Sequence, residues 1–188
     1  TNTDCYEMDY PVENLAIGYS PDWKSPYGWQ NNLYKHVIKG GPAGGGFSTV
    51  KDLHRFALAL LSGKYVSKDS LETMWTDHFK ANYGYGFNVT EGPAGKVVGH
   101  GGGFAGINSK LDIYLDSGYI VAAMSNIDTG ANPLASKISQ LLAAIATNPA
   151  AASLYTTAPD YARFAMAMMN DTGLKRETIA KIFSPQIE

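Results

Sequence analysis

The spacing of apolar and polar positions along the chain predicts two helices followed by strands. Six apolar side chains recur on one helical face after residue 49, namely Val50, Leu53, Phe56, Ala57, Leu60 and Leu61. This spacing predicts a helix, for which Thr49 is a suitable N-cap and Asp52 its capping partner three residues later. A short second helix is predicted over "SKDSLETMW", with Leu71, Met74 and Trp75 directed inward.

From about residue 83 the apolar spacing becomes two, which is typical of strands. "YGYGFNV" and "KVVGH" flank the turn sequence "TEGPAG", so these segments predict a hairpin. "INSKLDIYLD" alternates, and "YIVAAMSN" is an apolar run suited to a central strand. We therefore predict an α+β fold in which an antiparallel meander over 83–126 is covered by a helix over 132–146. Residues 1–46 show little periodicity and predict loops with short strands, one of them over 15–20.

The end of the chain repeats part of its middle. Residues 149–188 resemble the segment 42–76 at a constant offset of 108 residues. The matching pairs are Phe47 with Tyr155, Asp52 with Asp160, and Arg55–Phe56 with Arg163–Phe164. About 40 residues bury too little surface to fold alone, so we expect the repeat to dock on the main domain, another chain or a partner. We predict a main domain over 1–148, with homo-oligomerisation or segment exchange through 149–188 as possibilities.

Composition and charge limit the partners that the chain can have. The net charge is −2 without a block of like charges, which gives no support for a nucleic-acid partner. No apolar run reaches the roughly 20 residues that a membrane-spanning helix needs. Cys5 is the only cysteine, so an internal disulfide is excluded. His36, His54 and His78 are too scattered to predict a metal site, and no cofactor is expected.

Three stretches together resemble the C-terminal half of the serine β-lactamase and penicillin-binding-protein-like family, in its class C-like branch of β-lactamases and esterases. They are "GGPAGGGFSTVKDLHRFALALLSG", "YGYGF" and "VVGHGGGFAGINSKLDIYLDSGYIVAAMSN". The resemblance covers roughly residues 1–146 and implies a β-lactamase/transpeptidase-like fold that is incomplete here. It also implies a serine hydrolase that forms an acyl-enzyme with a small ester, amide or β-lactam substrate. Members of the family are often periplasmic or secreted.

The resemblance places one of the family's active-site motifs at His100, Gly101 and Gly102, on a strand at the sheet edge. In the family, the backbone N–H of the next residue stabilises the oxyanion, and here that residue is Gly103. His100 is thereby implied as a proton-transfer or substrate-orienting group, with a structural hydrogen-bonding role as the alternative. The absence of side chains at the glycines leaves room for a substrate to lie against the strand.

Two further tyrosines and one serine are candidates for the site. Tyr83 and Tyr85 either line the substrate cleft or pack on the sheet. The one Ser-x-x-Lys in the sequence is Ser48–Lys51, which would make Ser48 the nucleophile and Lys51 its base. The alternative is the cap of a surface helix, which we favour because the repeat has a threonine and a proline at those positions.

The family's own Ser-x-x-Lys and tyrosine motifs lie upstream of the region matched here, and we expect that residues before Thr1 are missing. We therefore predict a serine hydrolase that is incomplete in this chain because its nucleophile motif is absent. The alternative is a truncated or rearranged homologue that serves binding or assembly without catalysis.

Overall fold

The computed structural model describes residues 2–147, so the repeat predicted over 149–188 lies outside the described residues. The helices are α1 (Val50–Leu61), α2 (Lys68–Met74) and α3 (Ala131–Thr147). The strands are β1 (Tyr19–Pro21), β2 (Trp29–Asn31), β3 (Asn88–Gly92), β4 (Gly95–Phe104), β5 (Ile107–Tyr114) and β6 (Ile120–Ser125). The predicted α+β class, with an antiparallel sheet and a C-terminal helix, is confirmed. None of these helices is long and apolar enough to cross a membrane.

The main sheet is an antiparallel meander in the order β3-β4-β5-β6, and β1 and β2 form a separate two-stranded hairpin. Gly92 pairs with Gly95, so the predicted hairpin turns at residues 93 and 94. The meander begins at Asn88 and not at residue 83, because residues 83–87 form a turn in which Gly86 has a φ of +78°. The strand predicted over 15–20 is likewise displaced, to Tyr19–Pro21.

Helix α1 begins at the predicted cap. The side chain of Thr49 accepts a hydrogen bond from the N–H of Asp52 at 3.1 Å. The Asp52 carboxylate in turn accepts from the N–H of Asn2 at 2.7 Å, the hydroxyl of Thr3 at 3.2 Å and the guanidinium of Arg55 at 3.0 Å. The hydrogen bond from Asn2 is the main cause that lowers the pKa of Asp52. Asp52 therefore ties the N-terminal residues to the start of α1, which the spacing alone did not predict.

One face of the sheet packs against α1 and α2 and forms the hydrophobic core. Its buried members are Ala57, Leu60, Leu71, Trp75, Phe87, Val89, Val98, Leu111 and Ile113. The predicted face of α1 was too wide, because Val50, Phe56 and Leu61 remain 45%, 40% and 36% exposed. The Phe56 ring stacks on Tyr65 instead, with centroids 6.2 Å apart.

Helix α3 covers the opposite face of the sheet, as predicted. The polar positions of β5 lie on this side, where Asn108, Asp112 and Tyr114 are 5%, 9% and 1% exposed. Lys110 forms an ion pair with Asp112 at 3.2 Å. Burial nevertheless dominates and raises the pKa of the Asp112 carboxyl. Strand β5 thus alternates between a buried apolar face and a buried polar face.

Candidate active site

The outer edge of β4 lacks a partner strand, within residues 2–147, from residue 100 onward. Strand β3 pairs with β4 only as far as Gly99. The N–H of Leu115 donates to the carbonyl of Lys96 at 2.9 Å, so the even-numbered backbone groups of β4 point toward β5. Since these groups alternate along a strand, the N–H and C=O of Gly101 and Gly103 point to the free edge. The predicted oxyanion donor, the N–H of Gly103, is one of them.

The glycines of β4 differ in how much room surrounds them. A Cβ on Gly99 would collide with the backbone of β5, and one on Gly101 would make a tight contact at 3.1 Å. A Cβ on Gly102 or Gly103 would have its nearest neighbour at 3.6 Å, which is an ordinary van der Waals contact. Neither of these two residues has a positive φ. Packing and backbone conformation therefore do not require glycine at 102 and 103.

The structure brings His100 and Tyr83 together beside this edge. The Nε2 atom of His100 lies 3.1 Å from the hydroxyl of Tyr83, and its Nδ1 atom lies 2.6 Å from the carbonyl oxygen of Gly101. The two rings meet edge to face, with centroids 5.8 Å apart and an interplanar angle of 80°. His100 is exposed, and Tyr83 is 37% exposed. Both side chains are thus accessible at the surface next to the free edge.

The other predicted tyrosine, Tyr85, has different neighbours. Its ring packs on His78, with centroids 5.3 Å apart, and its N–H donates to the carbonyl of Met74 at 2.9 Å. The side chain is 55% exposed. These contacts place Tyr85 beside the end of α2, and its role in lining a cleft stays a prediction.

The loop that carries Tyr83 is held by the carboxylate of Asp77. This carboxylate accepts from the N–H of Ala81 at 3.0 Å and from the N–H of Asn82 at 2.8 Å. These hydrogen bonds lower the pKa of Asp77, and the bond from Ala81 has the largest effect. Lys80 and Asn82 have positive φ angles of 55° and 57°, so the loop needs such bonds to keep its conformation. Asp77 therefore positions Tyr83 beside His100.

We expect Asp77→Ala to lower the melting temperature at neutral pH and to displace the Tyr83 loop. Because the folded state lowers the pKa of Asp77, its stabilising effect is present above the ordinary value of 3.8 and is lost as the pH falls through the folded value. The difference in melting temperature between the two proteins should therefore shrink below about pH 4. Thermal unfolding at neutral and acidic pH checks this. A difference that stays constant with pH would contradict it.

Asn108 is a site residue that the sequence analysis missed. Its Oδ1 atom accepts from the N–H groups of Ala131 at 3.0 Å and Asn132 at 2.9 Å, at the start of α3. Its Nδ2 atom donates to the carbonyl of Gly102 at 3.2 Å. One buried side chain thus connects the first turn of α3 to the strand that carries the predicted oxyanion donor. Its position opposite the apolar residues of β5 was the only signal in the sequence.

Ser48 and Lys51, the possible nucleophile and its base, are not hydrogen-bonded to each other. The hydroxyl of Ser48 lies 2.9 Å from the hydroxyl of Thr3 and 3.4 Å from the carbonyl of Thr49. No hydrogen bond joins Ser48 to Lys51 among residues 2–147. Because Thr49 is the N-cap of α1, these contacts fit the interpretation of Ser48 as part of a helix cap.

Two of the three scattered histidines, His36 and His78, have structural neighbours. The ring of His36 stacks on Phe47, with centroids 6.2 Å apart, and His78 Nε2 lies 2.9 Å from the carbonyl oxygen of Thr73. Over the described part of the chain, no group of three His, Cys, Asp or Glu side chains is placed to hold a metal ion.

The described residues form an antiparallel sheet with helices on both faces and a His-Gly-Gly triplet on the part of β4 that extends beyond β3, which is an α+β fold with a glycine-rich free edge. A family model described as Beta-lactamase matches residues 1–145. The chain therefore belongs to the β-lactamase family. No curated protein matches it significantly.

Two solved structures are similar to the chain. A penicillin-binding protein from Bacillus halodurans has a TM-score of 0.68 and 24% identity, over 74% of this chain and 44% of that one. A D-stereospecific amidohydrolase from Streptomyces sp. has a TM-score of 0.53 and 27% identity, over 68% of this chain and 39% of that one. The chain thus spans less than half the length of either protein. The first likeness is one of fold, and both agree with the family assignment.

Proposed function

We propose that the free edge of β4 forms the acyl-binding wall of a serine hydrolase site. The observation that carries this proposal is the pair Gly102 and Gly103, which have room for side chains and carry none, on a strand edge without a partner. A bare edge of this kind lets the carbonyl of a substrate approach the backbone closely. The substrate would be a small ester, amide or β-lactam, and the reaction would pass through an acyl-enzyme.

The chemistry needs a fixed donor at the place where negative charge develops. Nucleophilic attack on a carbonyl turns its oxygen into an oxyanion, and backbone N–H groups aimed at this oxygen stabilise it. The N–H of Gly103 points to the free edge and is our candidate for that donor. Loss of one such donor typically reduces the rate by about 10²–10³. His100 and Tyr83 lie beside the same edge and supply polar contacts to the substrate.

The range of substrates is supported by the names of the similar proteins, one a penicillin-binding protein and the other a D-stereospecific amidohydrolase. Both are more than twice as long as the segment that this chain matches, and we propose that the whole activity needs residues outside that segment. We propose that the nucleophile is one of these. The contact of Ser48 with Thr3 favours this over catalysis by Ser48. The contact of Ser48 with Thr3 equally favours the second candidate function, a non-catalytic homologue that uses the free edge of β4 for binding.

Labelling with a fluorophosphonate serine probe tests where the nucleophile is. We expect the intact mass of the 188-residue chain to stay unchanged, while a complete penicillin-binding protein gains one adduct under the same conditions. Peptide mapping of any adduct would test Ser48 directly. A stoichiometric adduct on Ser48 would show that the chain carries its own nucleophile. It would overturn the proposal that the nucleophile lies outside the matched segment.

Amide spectra of the ¹⁵N-labelled chain test the acyl-binding wall. On addition of benzylpenicillin, we expect the resonances of Gly101 and Gly103 to shift more than those of the remaining chain. Gly103→Pro removes the N–H at an edge that tolerates proline, and should weaken binding by about tenfold or more. Gly103→Ala keeps the N–H but adds a methyl group near Asn108, so comparing the two variants separates loss of the donor from loss of the bare surface. Binding that Gly103→Pro leaves unchanged would refute the proposal.

A further inference from the structure

A cavity lies on the α3 side of the sheet, between helix α3 and the strands β3, β4 and β5. Its volume is about 390 Å³, within the range of about 300–1,000 Å³ that is usual for small-molecule sites. The His100 side chain lies on the other side of the sheet, because its register partner Leu111 belongs to the core under α1 and α2. The polar side chains that line the cavity from β5 and α3 are Lys110, Asp112, Tyr114, Asn132, Ser136 and Ser139.

Two glycines of β4 allow the charged side chains of β5 to extend over β4. Gly99 lies opposite Asp112 in the strand register, and Gly101 lies opposite Lys110. Residues that are directly opposite in an antiparallel pair share a face of the sheet. A Cβ on Gly99 would lie 2.8 Å from Oδ1 of Asp112, and one on Gly101 would lie 3.1 Å from Cδ of Lys110. The two glycines therefore make room for the charged groups that line the cavity.

Lys110 and Asp112 form an ion pair in this cavity. Nζ of Lys110 lies 3.2 Å from Oδ1 of Asp112, and the side chains are 25% and 12% exposed. The ammonium group has further donors and the carboxylate has further acceptor positions beyond this contact. Because the pair has no net charge, it gives little attraction to a free anion or cation. An apolar ligand would remove the pair from water without supplying hydrogen bonds, which costs free energy.

Uncharged hydrogen-bonding groups surround the ion pair. The side chains of Asn132 and Ser136 lie on the first turns of α3, and both residues are exposed. Tyr114 also lines the cavity and is only 1% exposed. Amide and hydroxyl groups both donate and accept hydrogen bonds. The cavity therefore presents donors and acceptors side by side around a neutral pair of charges.

We infer that this cavity binds a small neutral polyol, such as a monosaccharide. Each hydroxyl of a polyol donates and accepts, so neighbouring hydroxyls can donate to the Asp112 carboxylate and accept from the Lys110 ammonium. Other hydroxyls can bond to Asn132 and Ser136, and the C–H groups of the ring can pack on Val97, which also lines the cavity. This inference goes beyond the proposed function and does not rest on the acyl-binding wall.

Amide spectra of the ¹⁵N-labelled full chain test the inference with D-glucose as the probe. We expect glucose at up to about 100 mM, a range that detects millimolar dissociation constants, to shift the amides of Thr90, Asn132 and Ser136. Sodium acetate and ethylammonium chloride supply one charge each and should shift these amides less than glucose does. If glucose leaves the three amides in place, or if either ion shifts them more, the inference is wrong.

Two serine substitutions test whether the cavity itself holds the sugar. Ser136→Ala removes one hydroxyl from the lining and should weaken glucose binding by about threefold or more. Ser62→Ala makes the same change at an exposed serine at the end of α1, outside the cavity, and should leave glucose binding unchanged. Because both serines are exposed, we expect both variants to fold, which thermal unfolding checks. Equal glucose binding by the two variants would overturn the inference.

Asp112→Asn tests the role of the ion pair. The substitution keeps the shape of the side chain but leaves the Lys110 ammonium without its counter-charge. We therefore expect acetate to shift the amides of Asn132 and Ser136 in this variant more than in the wild-type chain. An unchanged response to acetate would contradict the argument that a neutral pair selects a neutral ligand.

A competition experiment distinguishes the cavity from the acyl-binding wall. Because the two lie at different places on the sheet, we expect the shift that benzylpenicillin causes at Gly103 to be the same with and without glucose. Loss of that shift on addition of glucose would show a shared site and overturn the inference. If benzylpenicillin shifts nothing while glucose shifts Asn132 and Ser136, the acyl-binding wall fails and the polyol site is supported.

Discussion

Replacing Asn108 by alanine is expected to lower the free energy of unfolding by about 2–4 kcal/mol. The side chain is 5% exposed and satisfies three backbone groups, two N–H donors at the start of α3 and the carbonyl of Gly102. The first N–H groups of a helix have no partner within the helix itself. Alanine would leave the N–H groups of Ala131 and Asn132 without this partner, and Ala131 is only 1% exposed, so water has little access to its N–H. Denaturant unfolding of the two proteins measures the difference.

Two other asparagine substitutions define which contacts cause the effect. Asn126 is exposed and donates a single hydrogen bond, to the carbonyl of Ile17 at 3.0 Å, so Asn126→Ala should cost less than about 1 kcal/mol. Asn108→Asp keeps the acceptor for the helix N–H groups but replaces the donor to Gly102 by an oxygen. It should fall between the wild-type chain and Asn108→Ala. An effect of Asn108→Ala no larger than that of Asn126→Ala would contradict the proposed connection.

Much of the fold could be predicted because its signals are local. The cap at Thr49, the inward positions Leu71 and Trp75, and the alternation of β5 depend on neighbours within a few residues. The meander followed from the turn sequences between strands that are adjacent in the chain. Helix propensity and strand spacing agree with the tertiary structure over these segments, and this agreement is why the prediction succeeded.

The site was harder to predict because its contacts join distant residues. Asn108 meets its partners in α3 more than 20 residues later, and nothing in the strand pattern separates it from an exposed polar residue. The bond between His100 and Tyr83 depends on where β3 begins, which the sequence analysis placed five residues too early. The Asp77 bonds depend on positive φ angles at Lys80 and Asn82, residues that carry only a weak preference for them.

The glycines of β4 differ in whether packing requires them, although they are the same residue type in one short segment. The sequence presents a glycine at 99 and three more at 101–103, without a sign of which ones packing requires. Only the structure shows that Gly99 lies in the paired part of β4 and that Gly102 and Gly103 lie beyond the end of β3. Resemblance to a family pointed to this segment, but which of its glycines packing requires depends on the register of β4 with its neighbours.

The second large effect on stability is expected from Gly99→Ala, because Gly99 lies in the paired part of β4. A methyl group at this position would collide with the carbonyl oxygen of Leu111 and would lie 2.8 Å from Oδ1 of Asp112. Both are held in β5 between β4 and β6, so the strand pair has to separate to accommodate it. Overpacking of this kind costs about 3 kcal/mol when the neighbour is backbone that cannot turn away. Denaturant unfolding should show the loss as a lower midpoint.

Gly102→Ala is the matched control, since it adds the same methyl group three residues along the same strand. Its nearest neighbour would be the hydroxyl of Ser109 at 3.6 Å, so we expect stability within about 0.5 kcal/mol of the wild-type chain. If Gly102→Ala lowers the midpoint as much as Gly99→Ala does, packing requires glycine at both positions. The argument that the edge is bare for binding then has no basis. If only Gly99→Ala is destabilised, the fold accounts for Gly99 alone. The missing side chain at Gly102 then needs a reason outside the fold, and close approach of a ligand supplies one.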